Sequence, residues 1–265
     1  MAVCRVRGIE LAYDDVGAGV PVVLLHGFPF NRTLWREQTD ALASTHRVVA
    51  PDLRGHGETE ATSEPATMEE MARDVAALLD ELKIERAVVG GLSMGGYVAL
   101  AFYRLFPRRV RALLLADTRA QADTEEAKRA REETAGRALS EGMTAIADAM
   151  LPKLLAHTTH MKEPERVERV REMILTTKPV GAAAALRGMA LRRDQTSLLV
   201  NIFQPALIIV GSEDQITPPA DAETMRREIR GSRLEVIEGA GHVSNIERPQ
   251  EFNAALTKFL RDIQP

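Results

Sequence analysis

Val88-Val89-Gly90-Gly91-Leu92-Ser93-Met94-Gly95-Gly96 is the stretch from which the fold can be read. An apolar run ends in Gly-x-Ser-x-Gly and passes into a helical pattern, which puts a serine on a sharp strand-to-helix turn. Such a turn imposes strained backbone angles on Ser93, and side chains at Gly91 and Gly95 would collide with the neighbouring strand and helix. The helix N-terminus that starts here favours developing negative charge. A glycine-rich helix start that merely holds an anion is the plainer reading of the same residues. The complete pentapeptide in this context favours a nucleophile.

A serine at its ordinary pKa needs a base, and the base needs a carboxylate to orient it. Both are found in the C-terminal part. A strand expected at 207–210 runs into Gly211-Ser-Glu-Asp214-Gln-Ile-Thr-Pro218, and one at 234–237 into Glu238-Gly-Ala-Gly-His242. Loops at the carboxyl ends of parallel strands share one sheet edge, so Ser93, Asp214 and His242 can converge there. Asp117, after the strand at 112–115, is a second position for the acid. The order Ser, Asp, His along the chain is that of α/β-hydrolases and differs from the two large serine-protease folds.

Further strands are expected at 4–6, 10–13, 22–25, 48–50 and 87–89, the central ones apolar on consecutive positions, as befits parallel strands covered on both faces. Helical patterns alternate with them. Thr67-Met-Glu-Glu70 reads as a capping box ahead of an apolar face on Met71, Val75, Leu78, Leu79 and Leu82. Pro249 suits a first turn before Phe252, Leu256, Phe259, Leu260 and Ile263. The β-α-β rhythm breaks between Arg119 and Val200, where helical periodicity runs on without a strand. Asp123-Thr-Glu-Glu126, Pro164 and Pro179 suggest helix starts there. The expected organisation is a core at 1–118 and 201–265 with a helical cap, 119–200, inserted into it.

The 265 residues would make one to two domains of about 150 residues each. The triad narrows this, because Ser93 precedes the helical stretch while Asp214 and His242 follow it. With 34 Lys and Arg against 38 Asp and Glu, the net charge of −4 offers no footprint for nucleic acid or anionic lipid. No apolar stretch approaches the ~20 residues of a membrane span. The single cysteine, Cys4, suggests no disulfide and reads as a small apolar strand residue. The N-terminus shows no apolar signal segment, so a cytoplasmic location is expected.

Four motifs together carry a family resemblance. They are His26-Gly27-Phe28-Pro29, Pro51-Asp52-Leu53-Arg54-Gly55-His56-Gly57, the serine turn, and Gly241-His242 followed by Glu247-Arg248-Pro249. With them the chain resembles the α/β-hydrolases of the cap-bearing esterase and lactonase type over nearly its whole length. Among subfamilies it is similar to enol-lactone hydrolases, acyl-homoserine lactonases of this fold, and cofactor-free haloperoxidases or perhydrolases. Thr59 stands where many relatives have serine, and Phe28 where tryptophan is frequent.

The resemblance implies a mostly parallel eight-stranded sheet flanked by helices. It also implies an oxyanion hole formed by the backbone N–H groups of Phe28 and Met94, supported by Gly27, Gly91 and Gly95. The expected reaction is hydrolysis of a small carboxylic ester or lactone through an acyl-enzyme, without cofactor or metal. Lactone-specific hydrolysis is the same chemistry under a differently shaped cap. Perhydrolase activity would need only peroxide in place of water. A ligand receptor on this fold could keep the triad and turn over slowly. Serine at the turn argues against the dehalogenases and epoxide hydrolases of similar fold, which use aspartate there.

Other residues invite plainer readings. His26 and His56 are expected to shape their loops through hydrogen bonds. His157 and His160 could share a helix face, but no cysteine or carboxylate cluster accompanies them as in a metal site. Glu213 is expected to face solvent, and Glu125 with Arg129 to form an exposed i,i+4 pair. Met143, Met150, Met161, Met173 and Met189 are expected either to pack between helices or to form a pliable wall over the serine.

Overall fold

Apolar residues on consecutive positions decide which strands lie centrally. In the computed structural model, which describes residues 1–62 and 65–263, eight strands form one sheet among the described residues. They are β1 (Ala2–Val6), β2 (Ile9–Val16), β3 (Val20–Leu25), β4 (His46–Pro51), β5 (Ala87–Leu92), β6 (Val110–Ala116), β7 (Ala206–Gly211) and β8 (Arg233–Ile237). Their order is β1-β2-β4-β3-β5-β6-β7-β8. β2 pairs antiparallel with β1 and with β4, and every other pairing is parallel. Every residue of β5 and β7 is buried, whereas the edge strands β1 and β8 keep exposed positions.

Twelve α-helices accompany the sheet among the described residues. The first three are α1 (Arg36–Leu42), α2 (Met68–Glu81) and α3 (Met94–Leu105). Thr67 caps α2 with a complete capping box, its hydroxyl accepting the Glu70 N–H while the Glu70 carboxylate accepts the Thr67 N–H. The helix buries Met71, Val75, Leu78 and Leu79 as the pattern predicts. A bidentate pair between Arg54 and the buried Asp74 fastens α2 to the loop after β4, both contacts at 2.8 Å.

Between β6 and β7 run six helices: α4 (Glu125–Glu141), α5 (Met143–Leu154), α6 (His157–Lys162), α7 (Pro164–Leu175), α8 (Pro179–Ala190) and α9 (Thr196–Leu199). α4 packs on α8, and α5 packs on α7. Pro164 and Pro179 open α7 and α8. The start of α4 departs from a simple cap by Asp123. Thr124 takes the capping position, and Asp123 turns inward to pair with Arg131 and Arg192. Glu125 pairs with Lys128 at 2.7 Å rather than with Arg129, since both spacings lie on one helix face. α10 (Pro219–Glu228), α11 (Ser244–Glu247) and α12 (Pro249–Asp262) complete the chain, with Pro249 in the first turn of α12.

The crowding inferred at the serine turn is present. A Cβ on Gly91 would run into the Gly95 carbonyl, and one on Gly95 into the carbonyls of Leu25 and His26. These glycines let β3, β5 and α3 approach closely enough to place Ser93 at the sheet's carboxyl edge. Gly95→Ala should therefore lower stability by about 1–3 kcal/mol, the usual cost of overpacking, seen as an earlier denaturant midpoint. A wild-type midpoint would show that the turn has room to spare.

Candidate active site

Ser93 sits between β5 and α3 with φ 55° and ψ −115°, a conformation that non-glycine residues rarely adopt. Two hydrogen bonds hold it there. The Ser93 N–H donates to the Ala116 carbonyl (2.9 Å), and the Thr118 hydroxyl donates to the Ser93 carbonyl (2.8 Å). Strand β6 thus braces the turn from one side. On the other, a Cβ placed on Gly27 would lie 3.3 Å from that of Ser93, so the loop after β3 passes directly beside the serine.

The structure brings the three predicted side chains into one line. Ser93 Oγ lies 2.8 Å from His242 Nε2, and His242 Nδ1 lies 2.8 Å from Asp214 Oδ2 and 3.0 Å from Oδ1. The carboxylate neighbour assigns the ring proton to Nδ1, which leaves Nε2 free to accept from the serine hydroxyl. Asp214 is itself held by the N–H groups of Ile216 (2.8 Å) and Thr217 (2.9 Å) and by the Thr217 hydroxyl (2.8 Å). Ser93 is only 8% exposed, and His242 and Asp214 are buried more deeply.

Asp117 lies at the end of β6, also with positive φ, but its partners are different. One oxygen accepts from Gly211 N–H (2.9 Å), the other from the Ser244 hydroxyl (2.6 Å) and N–H (3.2 Å). It therefore ties the end of β7, ahead of Asp214, to the start of α11, just after His242. Met94 opens α3, where a first-turn N–H has no acceptor within the helix. Phe28 is buried in the loop beside Ser93, and its peptide bond to Pro29 is cis. The Pro29 carbonyl accepts from the Thr177 hydroxyl at 2.6 Å, and Asn31 donates to the Thr176 hydroxyl at 3.0 Å.

Comparison with known proteins agrees with this architecture. Residues 20–249 match the family described as the alpha/beta hydrolase fold. The chain belongs to the α/β-hydrolase family. It is similar to a thermophilic esterase from Thermogutta terrifontis, solved with malate bound, at 44% identity and a TM-score of 0.96, over 99% of this chain and 97% of that one. It is also similar to the enol-lactonase from Burkholderia xenovorans LB400, at 32% identity and a TM-score of 0.91, over 98% and 100% of the two chains. The curated 3-oxoadipate enol-lactonase 1 of Acinetobacter baylyi is 31% identical over 243 residues, covering 92% of this chain and 89% of that protein.

In this α/β-hydrolase, burial and neighbouring charge pull the titrating groups in opposite directions. Burial alone would lower the His242 pKa, but the Asp214 charge and hydrogen bond reverse this and hold it above the ordinary 6.5. Burial likewise pulls Asp214 up, and the imidazole with the Thr217 donors brings it below the ordinary 3.8. Asp117 is raised by burial and by the nearby Asp214 charge. His26 is lowered to about 4 and His56 to about 3, both chiefly by burial. His26 Nε2 accepts from Leu53 N–H (2.9 Å) and its Nδ1 meets the Gly27 carbonyl (2.9 Å), while His56 Nδ1 meets the Arg54 carbonyl (3.1 Å).

The remaining predicted residues lie away from this line of contacts. Glu213 is exposed, yet its carboxylate accepts the His157 N–H at 3.3 Å. His160 Nε2 faces the Leu151 carbonyl at 3.1 Å. Among the described residues, no group of three or more His, Cys, Asp or Glu is placed to hold a metal, and no helix is long and apolar enough to cross a membrane. Met143, Met173 and Met189 are buried, but Met161 is 70% exposed and forms no part of an inner wall. Its short helix α6 turns that position outward. Thr217 was not anticipated, although a threonine three residues after Asp214 has the spacing of a local side-chain turn.

The signs of these shifts fix the pH behaviour. The raised His242 pKa contributes stability that is complete below 6.5 and fades as pH rises through the raised value. Asp214 contributes above 3.8, and that contribution is lost as pH falls through its depressed value. His26 and His56 are buried neutral, so acid below 6.5 favours the unfolded chain, which can charge them. In ring-proton NMR His242 should titrate above the ordinary 6.5, while His26 and His56 stay neutral between about pH 8 and pH 5. Asp214→Asn should move the His242 transition to lower pH. Titration of His26 or His56 in that window would contradict the burial argument.

Proposed function

We infer that the protein hydrolyses small carboxylic esters or lactones through a covalent acyl-enzyme on Ser93. The observation that carries this reading is the 2.8 Å contact of Ser93 Oγ with His242 Nε2, backed by Asp214 on the opposite ring nitrogen. His242 takes the hydroxyl proton as the oxygen attacks the acyl carbon, and returns it to the departing alcohol. Asp214 holds the ring tautomer and stabilises the imidazolium. The N–H groups of Phe28 and Met94 receive the developing oxyanion; losing one such donor typically costs about 10²–10³ in turnover. Water activated by His242 then releases the acid.

The helices between β6 and β7 act as a cap, with 119–200 as its extent and the two flanks forming one core. Support comes from their direct contacts with the site: Thr177 on the Pro29 carbonyl, and the Leu154 carbonyl on the His242 N–H at 2.8 Å. The residues that these helices bury are largely apolar, including Ile146, Leu154, Met173 and Leu186, and pack into the same hydrophobic cluster as the core, which suits a cap seated firmly on it. Lactones are the second substrate class, favoured by the enol-lactonases among the relatives. For a lactone the leaving alcohol stays tethered to the acyl group, so hydrolysis of the acyl-enzyme must outrun re-closure of the ring.

The test is a panel of acyl esters of graded chain length beside homoserine lactones and an enol lactone. Ser93→Ala should lower kcat by at least about 10⁴-fold, and Asp214→Asn by a comparable factor. Asp117→Asn, which keeps an acceptor for Gly211, should cost much less. Hydrolysis that survives Ser93→Ala sinks the reading. A large loss confined to Asp117→Asn transfers the acid role to that residue. Wild-type turnover near zero on the whole panel would favour a ligand receptor.

A further inference from the structure

Glu247 is a carboxylate only 1% exposed, in the short helix α11 that follows the His242 loop. It is part of Glu247-Arg248-Pro249, a motif to which the triad assigns no task. One of its oxygens accepts the Gly241 N–H at 2.6 Å. The other accepts the Ala156 N–H at 2.8 Å and the Thr159 hydroxyl at 2.6 Å. Gly241 immediately precedes His242, whereas Ala156 and Thr159 belong to the start of α6, on the other side of the site.

Each oxygen faces a backbone N–H that can only donate, Gly241 on one and Ala156 on the other, and this is a demand that an acceptor-only group satisfies best. An amide in the same place would turn its NH2 toward at least one N–H or O–H. The carboxylate is not isolated in holding the two stretches together. The His242 N–H donates to the Leu154 carbonyl at 2.8 Å, and Arg166 of α7 donates to the carbonyls of Ile246 and Glu247. Behind the loop, the Glu213 N–H donates to the Ala240 carbonyl at 2.8 Å. The base is therefore gripped between the β7 loop and the junction of α5 with α6.

We propose that Glu247 is a positioning residue for His242, fixing the catalytic base against the helices inserted after β6 so that their placement sets the Ser93–His242 contact. This rests on the hydrolase reading above. The position of the ring is set through its own backbone: Gly241 N–H, His242 N–H and the α11 carbonyls are all anchored to α5, α6 or α7. A tilt of those helices is transmitted to the imidazole without passing through the sheet. The charged groups around His242 itself are Asp214, Asp117 and Arg119, and Arg248 acts on Glu247. Burial holds the Glu247 pKa above the ordinary carboxylate value, and the Thr159, Ala156 and Gly241 donors offset only part of that rise.

Thr159→Val removes one donor at nearly constant volume and alters no charge, and Glu247→Gln removes the acceptor-only group. Both are assayed as kcat per active site, titrated with a serine-directed organophosphonate, together with the pH profile of kcat/KM and the melting temperature. A misplaced base should lower kcat per titrated site by about tenfold in Glu247→Gln and less in Thr159→Val, with KM changed little. The acid limb, which reports His242, should move to lower pH as the imidazole loosens from Asp214. Thr159→Ser, which keeps the hydroxyl, should recover most of the loss.

Folded Thr159→Val or Glu247→Gln enzyme with wild-type kcat per site and an unmoved acid limb overturns the proposal. So does a fall in melting temperature or in titratable sites alone, which is what a purely structural role would give. If Glu247→Gln does not fold, Thr159→Val and Thr159→Ser decide. Ser93→Ala, run beside them, separates the two claims: its activity tests the hydrolase reading, and the Thr159 pair tests only the link to the base.

Discussion

The turn at Ser93 demands more of the surrounding chain than any other point in the molecule. Backbone angles of 55° and −115° on a residue with a side chain cost on the order of 1–3 kcal/mol and persist only where neighbours over-determine them. Here β6 supplies an acceptor at Ala116, Thr118 just beyond its end supplies a donor, and β3 closes against Gly95. Parallel pairing of β3, β5 and β6 is thus a condition of the site as well as of the core. The strain is supported by strands that are themselves buried on both faces.

Around the imidazole the protein buries three carboxyl groups, Asp214, Asp117 and Glu247, and treats each differently. Asp214 faces the ring and is held ionised by it and by Thr217. Asp117 faces backbone and Ser244, and burial near Asp214 favours its neutral form. Glu247 faces three donors and no ring. A buried carboxyl left without partners would be strongly unfavourable, and each of the three receives two N–H groups and one hydroxyl, so what sets Asp214 apart is the imidazole it faces. This arrangement leaves His242 bordered by acid on one side and hydroxyl on the other, the electrostatic asymmetry that a general base requires.

Much of this was legible in the sequence because it is written in local patterns. The central strands stand out as short apolar runs, and Gly-x-Ser-x-Gly announces its own turn. Asp214 and His242 were found because each follows such a run directly. Thr217 carries a local spacing that goes unread, whereas Asp123 and the role of Glu247 were hidden for a common reason. Their significance lies in partners distant in sequence or in the choice between two adjacent oxygens, as when Thr124 rather than Asp123 caps α4. Met161 fails for a related reason: composition marks a methionine-rich stretch, but only the direction of α6 tells which members face inward.

The inserted helices touch the site at two widely separated stretches of their own sequence. Residues 154–159 meet the His242 loop, and Thr176 and Thr177 meet the loop that carries Phe28. The segment is therefore not a free-standing module in the sense a protein engineer would want. Exchanging it wholesale with that of a relative would swap the docking surfaces along with the substrate-facing ones. On the proposed reading, a chimaera would have to keep these two stretches, and Arg166 between them with its bonds to the Ile246 and Glu247 carbonyls, to leave His242 held as it is here.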